Sequence, residues 1–307
     1  MAHRLPLPVG ALLALFLCAC GSAEARDAPL ARKLHVVQGL GFPESVRYDA
    51  DQDVYFVSNM VGPGSAKDGK GYIARIPAAT LGPVTIFAQG GTGGVVLDAP
   101  KGMAIQGDTL WVADIDVLRG FHRRTGAPLA TIDMRPHHAM LLNDIAVGPD
   151  GTMRVTDTGI SMTPKGVLYH GTDKIFAIGP GRAVSLLASG KELKLPNGIT
   201  WDSAGRRWIV VAFHPFRSEV YALGQGTRTT IAIGTGRFDG VEALRDGRLL
   251  VTSWSDSSLH VFSGKTEQRV IRGLWQPADL GVDPRRQRVA IPLVLQGRVE
   301  IWELPGA

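Results

Sequence analysis

The sequence predicts an all-β protein built as a six-bladed β-propeller, with the ring closed by its N-terminal strand. Three observations carry this reading. One segment plan recurs six times, at intervals of 57, 42, 54, 42 and 39 residues. Strand-length runs follow one another with no helical period between them. Gly (38 residues) and Pro (19 residues) are frequent enough to serve many tight turns in a chain of 307,.

The six units open on Phe42-Pro43-Glu44-Ser45-Val46, Ala99-Pro100-Lys101-Gly102-Met103, Leu141-Leu142-Asn143-Asp144-Ile145, Leu195-Pro196-Asn197-Gly198-Ile199, Arg237-Phe238-Asp239-Gly240-Val241 and Gln276-Pro277-Ala278-Asp279-Leu280. Each opener leads to a polar turn and then a second strand, as in VYFVSN (54–59), TLWVAD (109–114) and RLLVTSW (248–254). Alternating third strands follow, such as GYIARIP (71–77), EVYALG (219–224) and RVEIWEL (298–304), and most units have a fourth. A blade buries its faces only against neighbouring blades, so the ring has to close. The sixth unit stops after its third strand, at Leu304, while the run KLHVVQGL (33–40) has no unit of its own. That run is expected to supply the missing outermost strand, because an uncovered sheet edge is a liability.

The N-terminus is a different object. Arg4 precedes an apolar stretch, VGALLALFLCAC (9–20), which is too short to span a bilayer and reads as a leader,. Leu17-Cys18-Ala19-Cys20 followed by Gly21-Ser22 resembles a bacterial lipobox,. The expected organisation is a lipoprotein-type signal peptide at 1–19, a tether at 20–32 and a propeller domain at 33–307. Cys20 would carry the lipid and anchor an exported protein to the membrane of the bacterial cell envelope, on the periplasmic side or at the outer membrane. The competing reading is simple cleavage after Ala25. Both cysteines of the chain fall here, which leaves the propeller no disulfide and no thiol nucleophile,. The formal charge of +5 is spread along the chain, so it reads as a solvated surface and not as a nucleic-acid footprint,.

Innermost strands line the axis of a propeller, so the third residues of the openers form a ring: Glu44, Lys101, Asn143, Asn197, Asp239 and Ala278. Two positions further on stand Val46, Met103, Ile145, Ile199, Val241 and Leu280, all apolar, as the two-residue period of a strand requires,. Two carboxylates and two primary amides on one ring are the donor set that Ca²⁺ prefers. A dication would also cancel the repulsion between Glu44 and Asp239. Mg²⁺, Mn²⁺ or Zn²⁺ are the other candidate cofactors, Zn²⁺ being disfavoured by the lack of Cys and of a His grouping. Taken singly, Asn or Asp before Gly is more often a turn former; the case for ligands rests on the shared repeat position.

The segments PES (43–45), NDIAVGPDGTMRVTDTG (143–159), PNGITW (196–201) and DGVEALRDGRLLVTSW (239–254) resemble the SMP-30/gluconolactonase/LRE-like family over roughly residues 36–305. The family's metal quartet of Glu, Asn, Asn and Asp falls on Glu44, Asn143, Asn197 and Asp239. The resemblance implies a lactonase or related hydrolase acting on a small-molecule ester or lactone, with Asp239 as general base or nucleophile. Sugar-lactonase members carry an Arg two residues before the first ligand Asn; Leu141 stands there, which argues against gluconolactone as the substrate.

The ring residues open the innermost strands, and the longer loops, 60–71, 159–173 and 214–218, lie on the same face. Loops of this length without secondary structure often carry function. Asn59, Asp114 and Asp157 end second strands on that face and are candidates for substrate contact or ligand support, as is His214, with His137 and His138 nearby. Lys101 is a candidate for binding a substrate anion or pairing with Glu44, and Lys101 or a histidine for protonating a leaving oxygen. No G-x-S-x-G elbow, dinucleotide fingerprint or P-loop occurs,. The alternative is a non-catalytic envelope propeller that binds a protein or ligand around a structural cation, because fold alone does not decide chemistry.

Overall fold

A computed structural model describes residues 31–163, 165–224 and 227–305. The expected leader, most of the tether and Cys20 lie outside the described residues. Six four-stranded antiparallel sheets are arranged as blades around an axis. Their innermost strands are Pro43–Asp49, Pro100–Gln106, Leu142–Val147, Pro196–Asp202, Phe238–Ala243 and the short Gly281–Asp283. Blades I to V each run outward through three further strands in chain order.

Blade VI is completed from the other end of the chain. Strand Arg32–Val37 pairs antiparallel with Arg298–Glu303, in a register from Arg32 opposite Glu303 to Val37 opposite Val299. The predicted closure therefore holds, with the strand running 32–37 instead of 33–40. Salt bridges from Arg32 to Glu303 and from Lys33 to Glu300, both 2.8 Å, reinforce the pairing. A second seam lies at the axis. The Asp279 N–H donates to Glu44 O (2.9 Å) and the Val46 N–H donates to Asp279 O (3.1 Å), joining the last blade to the first.

The core sits between blades. Val46, Tyr55 and Val57 of blade I pack on Ala290, Val299 and Ile301 of blade VI. Ile209 and Val211 of blade IV pack on Val241, Leu249 and Val251 of blade V. Val46, Met103, Ile145, Ile199, Val241 and Leu280 are all buried, as the strand period required. One expectation needs correcting. The segment 159–173 is not a bare loop but carries a two-stranded hairpin, Ile160–Thr163 with Gly166–Tyr169. The run between the second and third strands of blade III is long enough to fold back on itself.

Candidate metal and substrate site

The ring residues do not sit in regular ladders. In blades I to V the pairing between the first and second strands breaks across the ring position: between Pro43 and Ser45, Pro100 and Met103, Leu142 and Ile145, Pro196 and Ile199, and Phe238 and Val241. A bulge of this kind re-aims a side chain, and here it recurs at Glu44, Lys101, Asn143, Asn197 and Asp239. The bulge frees a backbone N–H, and a hydroxyl on the second strand takes it up in three blades. Ser45 N–H donates to Ser58 Oγ (2.9 Å), Asp144 N–H to Thr156 Oγ1 (3.0 Å) and Gly240 N–H to Thr252 Oγ1 (2.8 Å). Two of these hydroxyls reach onward to the next blade's ring residue: Thr156 donates to Asn197 O (2.6 Å) and Thr252 to Ala278 O (3.0 Å).

Asn197-Gly198 and Asp239-Gly240 lie inside strands, not in turns. Their glycines serve close approach between blades. A Cβ on Gly198 would stand 2.6 Å from Asp239 O, and one on Gly240 would stand 2.6 Å from the Asp279 Cα.

Glu44, Lys101, Asn143, Asn197, Asp239 and Ala278 together line a cavity of about 580 Å³ at the loop-rich end of the axis. All six are buried. Thr158, which sequence reasoning passed over, holds one ligand candidate in place. It accepts from Asn143 Nδ2 (2.9 Å) and donates to Pro196 O (2.9 Å), which leaves the Asn143 carbonyl oxygen free. Glu44 Oε2 and Asp239 Oδ1 are buried and have no hydrogen-bond partner.

Burial pushes the Glu44 carboxyl well above the usual carboxylate range, the Asp239 charge pushes it further, and Lys101 opposes both. Burial likewise raises Asp239, with Asp279 adding to it and the Asn197 hydrogen bond opposing. Beneath the ring, Asp279 is raised to about 7, by burial first. Arg47 pairs with Glu242 and lies 3.8 Å from Asp279 there. Lys101, lowered by burial, donates from Nζ to Gly64 O (2.6 Å) and Ala99 O (3.0 Å). The axis thus brings the buried carboxyls of Glu44, Asp144, Asp239 and Asp279 together with the half-buried Glu242 and Arg47 and the buried Lys101.

These observations fit an oxygen-coordinated cation. Two partnerless carboxylate oxygens are costly to bury without a positive charge beside them, and the two amides supply further oxygen donors. Among the described residues, no three His, Cys, Asp or Glu side chains come together as a metal-binding group, so any ion here leans on the amides.

The remaining sequence candidates lie outside the cavity lining. Asn59 accepts from Gly41 N (3.1 Å) and donates to Val57 O (2.9 Å). Asp114 accepts from Ala99 N (2.9 Å) and from Arg119 Nε (3.1 Å). Asp157 accepts from Leu141 N (2.9 Å), Met140 N (3.0 Å) and Gly159 N (3.1 Å). All three brace the chain where it enters an innermost strand. Among the described residues, no histidine lines the cavity. His214 accepts at Nδ1 from Phe216 N (3.5 Å), and His137 packs edge-on against Phe176. Lys101 brings an ammonium group into the lining.

The fold and this floor define a propeller that presents an axial ring of carboxylates and amides at the base of a cavity. The family model described as the SMP-30/gluconolactonase/LRE-like region matches residues 42–278, and the chain belongs to that family. No curated protein matches the sequence. Among solved structures, a gluconolactonase from Xanthomonas campestris superposes with a TM-score of 0.68 at 16% identity, covering 91% of this chain and 96% of its own. A luciferin-regenerating enzyme gives 0.64 at 12% identity, covering 90% and 94%. The PQQ-bound aldose sugar dehydrogenase from Streptomyces coelicolor also gives 0.64, at 17% identity, covering 89% and 97%. At such identities these likenesses speak to the fold, which evidently hosts both lactonase and redox chemistry.

Proposed function

We propose that this chain is a divalent-metal-dependent hydrolase of a lactone or ester, with Ca²⁺ held by Glu44, Asn143, Asn197 and Asp239. The observation that carries this reading is the pair of buried, partnerless oxygens, Glu44 Oε2 and Asp239 Oδ1, on the floor of an open cavity. Family membership supports it. Bound there, the cation would supply Lewis-acid polarisation of a carbonyl oxygen. The Asp239 carboxylate takes a proton from a water that adds to the carbonyl carbon, or attacks that carbon itself to form an acyl intermediate that water then hydrolyses, the ring or alkoxy oxygen leaving in either case. Lys101 has spent two N–H bonds on Gly64 O and Ala99 O. Its third is left to protonate the leaving oxygen.

The non-catalytic alternative would be favoured by a cavity plugged by its loops. Residues 60–64 and the hairpin instead line the cavity wall.

Metal binding is tested apart from turnover by thermal melting. Ca²⁺ at about a hundredfold over Kd should stabilise the protein by about 2.7 kcal/mol, and chelator should reverse the shift. Mg²⁺, Mn²⁺ and Zn²⁺ rank the site's preference. Glu44→Gln and Asp239→Asn should abolish the shift together with hydrolysis of aryl esters and lactones. In chelator, Asp239→Asn should melt no lower than the parent, because it removes a buried carboxyl with a partnerless oxygen,. A full metal shift in both variants would refute the assignment.

We also propose that Cys20 is lipidated and anchors the protein in the bacterial envelope, on the strength of the sequence around it. Incorporation of an alkynyl fatty acid should be lost in Cys20→Ala; equal labelling of both proteins would sink this.

A further inference from the structure

Above its polar floor, the cavity is apolar. Met60, Ile160, Met162, Phe213, Trp254 and Leu295 form much of its wall. The wall is assembled from separate segments that meet over Gly64. A Cβ there would stand 2.9 Å from Met162 Sδ and 3.2 Å from Met60 Sδ, so two thioethers from the 60–71 loop and the hairpin converge on one stretch of backbone. Methionine surfaces of this kind adapt to irregular apolar shapes. Met162 N–H donates to Ser65 Oγ (2.8 Å), which fastens the hairpin to the loop. The apolar lining continues to the rim, where Phe42 (40%), Val167 (43%) and Leu295 (58%) are exposed.

The hydroxyls along this wall are already engaged. Thr158 Oγ1 serves Asn143 and Pro196 O, and Thr163 Oγ1 donates to Gly166 O (3.0 Å). The two engaged bonds of Lys101 leave it one N–H. Beyond the floor there remain the Trp254 indole N–H, which has no partner, and the side chain of Gln276. A polyhydroxylated ring brings several hydroxyls that each need a partner once buried, and this wall does not supply them. Leu141, two residues before Asn143, is fully buried with Ile160 and Leu195 beneath the hairpin, so it backs the apolar wall and offers no polar contact.

We propose that the cavity selects lactones or esters with an apolar alkyl or aryl portion seated between Met60, Met162, Phe213 and Leu295, over polyhydroxylated ring lactones. This rests on the hydrolase reading for the reaction but on the wall alone for the ligand class. The cavity volume, about 580 Å³, falls in the range that holds drug-sized ligands.

The test is a series of δ-lactones bearing linear tails of increasing length, run beside glucono-δ-lactone with metal supplied. Each added methylene should raise kcat/KM about three- to fourfold until the tail reaches the rim. Leu295→Asp should flatten the gain for the longest tails. A flat series, or a preference for glucono-δ-lactone, overturns the proposal. In parallel, calorimetric titration uses the matching δ-lactams, which are not readily hydrolysed. Affinity should rise with tail length, with a negative heat-capacity change. Length-dependent lactam binding without turnover of any lactone would uphold the ligand class and sink the hydrolase reading. Length-independent or absent lactam binding without turnover would sink both.

Discussion

Asn143 illustrates how a side chain with two chemically different ends is made to present one of them. Thr158 takes its amide nitrogen, and Thr158 is itself fixed by Pro196 O. Such support of a ligand commonly affects metal affinity by about 10–100-fold. Thr158→Val keeps the shape but removes both hydrogen bonds. It is expected to weaken Ca²⁺ binding about tenfold by calorimetry while leaving the melting temperature in chelator within a few degrees of the parent. Unchanged affinity would show that Asn143 needs no such support. At this scale the sequence was partly legible. The ring positions were visible because the repeat registers them. Thr158 was not, because its role depends on contact with Pro196, 38 residues away. The same blindness affected Asn59, Asp114 and Asp157, whose chemistry suits a site but whose carboxylates and amide are consumed by nearby backbone.

Among the elements, the strand Arg32–Val37 stands out for doing work far from its place in the chain. It contributes a full run of ladder pairing, two ion pairs, and burial of Val37. The exposed Arg32–Glu303 pair adds little,, so backbone pairing and apolar burial dominate, together on the order of 5 kcal/mol. Deleting residues 32–37 should lower the melting temperature by about 10–20 °C; a calorimetric trace that overlays the parent would refute the closure's importance. This strand was legible because the unit count left one blade short and one run spare. The bulges at the ring were not. Alternation of polar and apolar residues predicts a regular ladder, and only the Ser or Thr in VSN (57–59), VTD (155–157) and VTS (251–253) hints at a freed N–H to be satisfied. The hairpin over the cavity was hidden for another reason, since its second strand, Gly166–Tyr169, is exposed throughout and lacks the burial that patterns a sequence.

For the molecule as a whole, the architecture could be read before the chemistry because ring closure imposes one repeat on distant segments, whereas a cavity wall is free to draw on whichever loops reach it. The inner seam gives that closure a further meaning. The main chain of Glu44 accepts from Asp279, so the first carboxylate of the proposed quartet is stitched to the last blade to be synthesised. A nascent or N-terminally clipped chain would hold Glu44 and Asp239 on parts free to drift apart. Calcium capture would then act as a proofreading signal for complete assembly: only a fully joined circle would see the ion, and fraying at the joint would blind the protein to it well before the blades themselves melt.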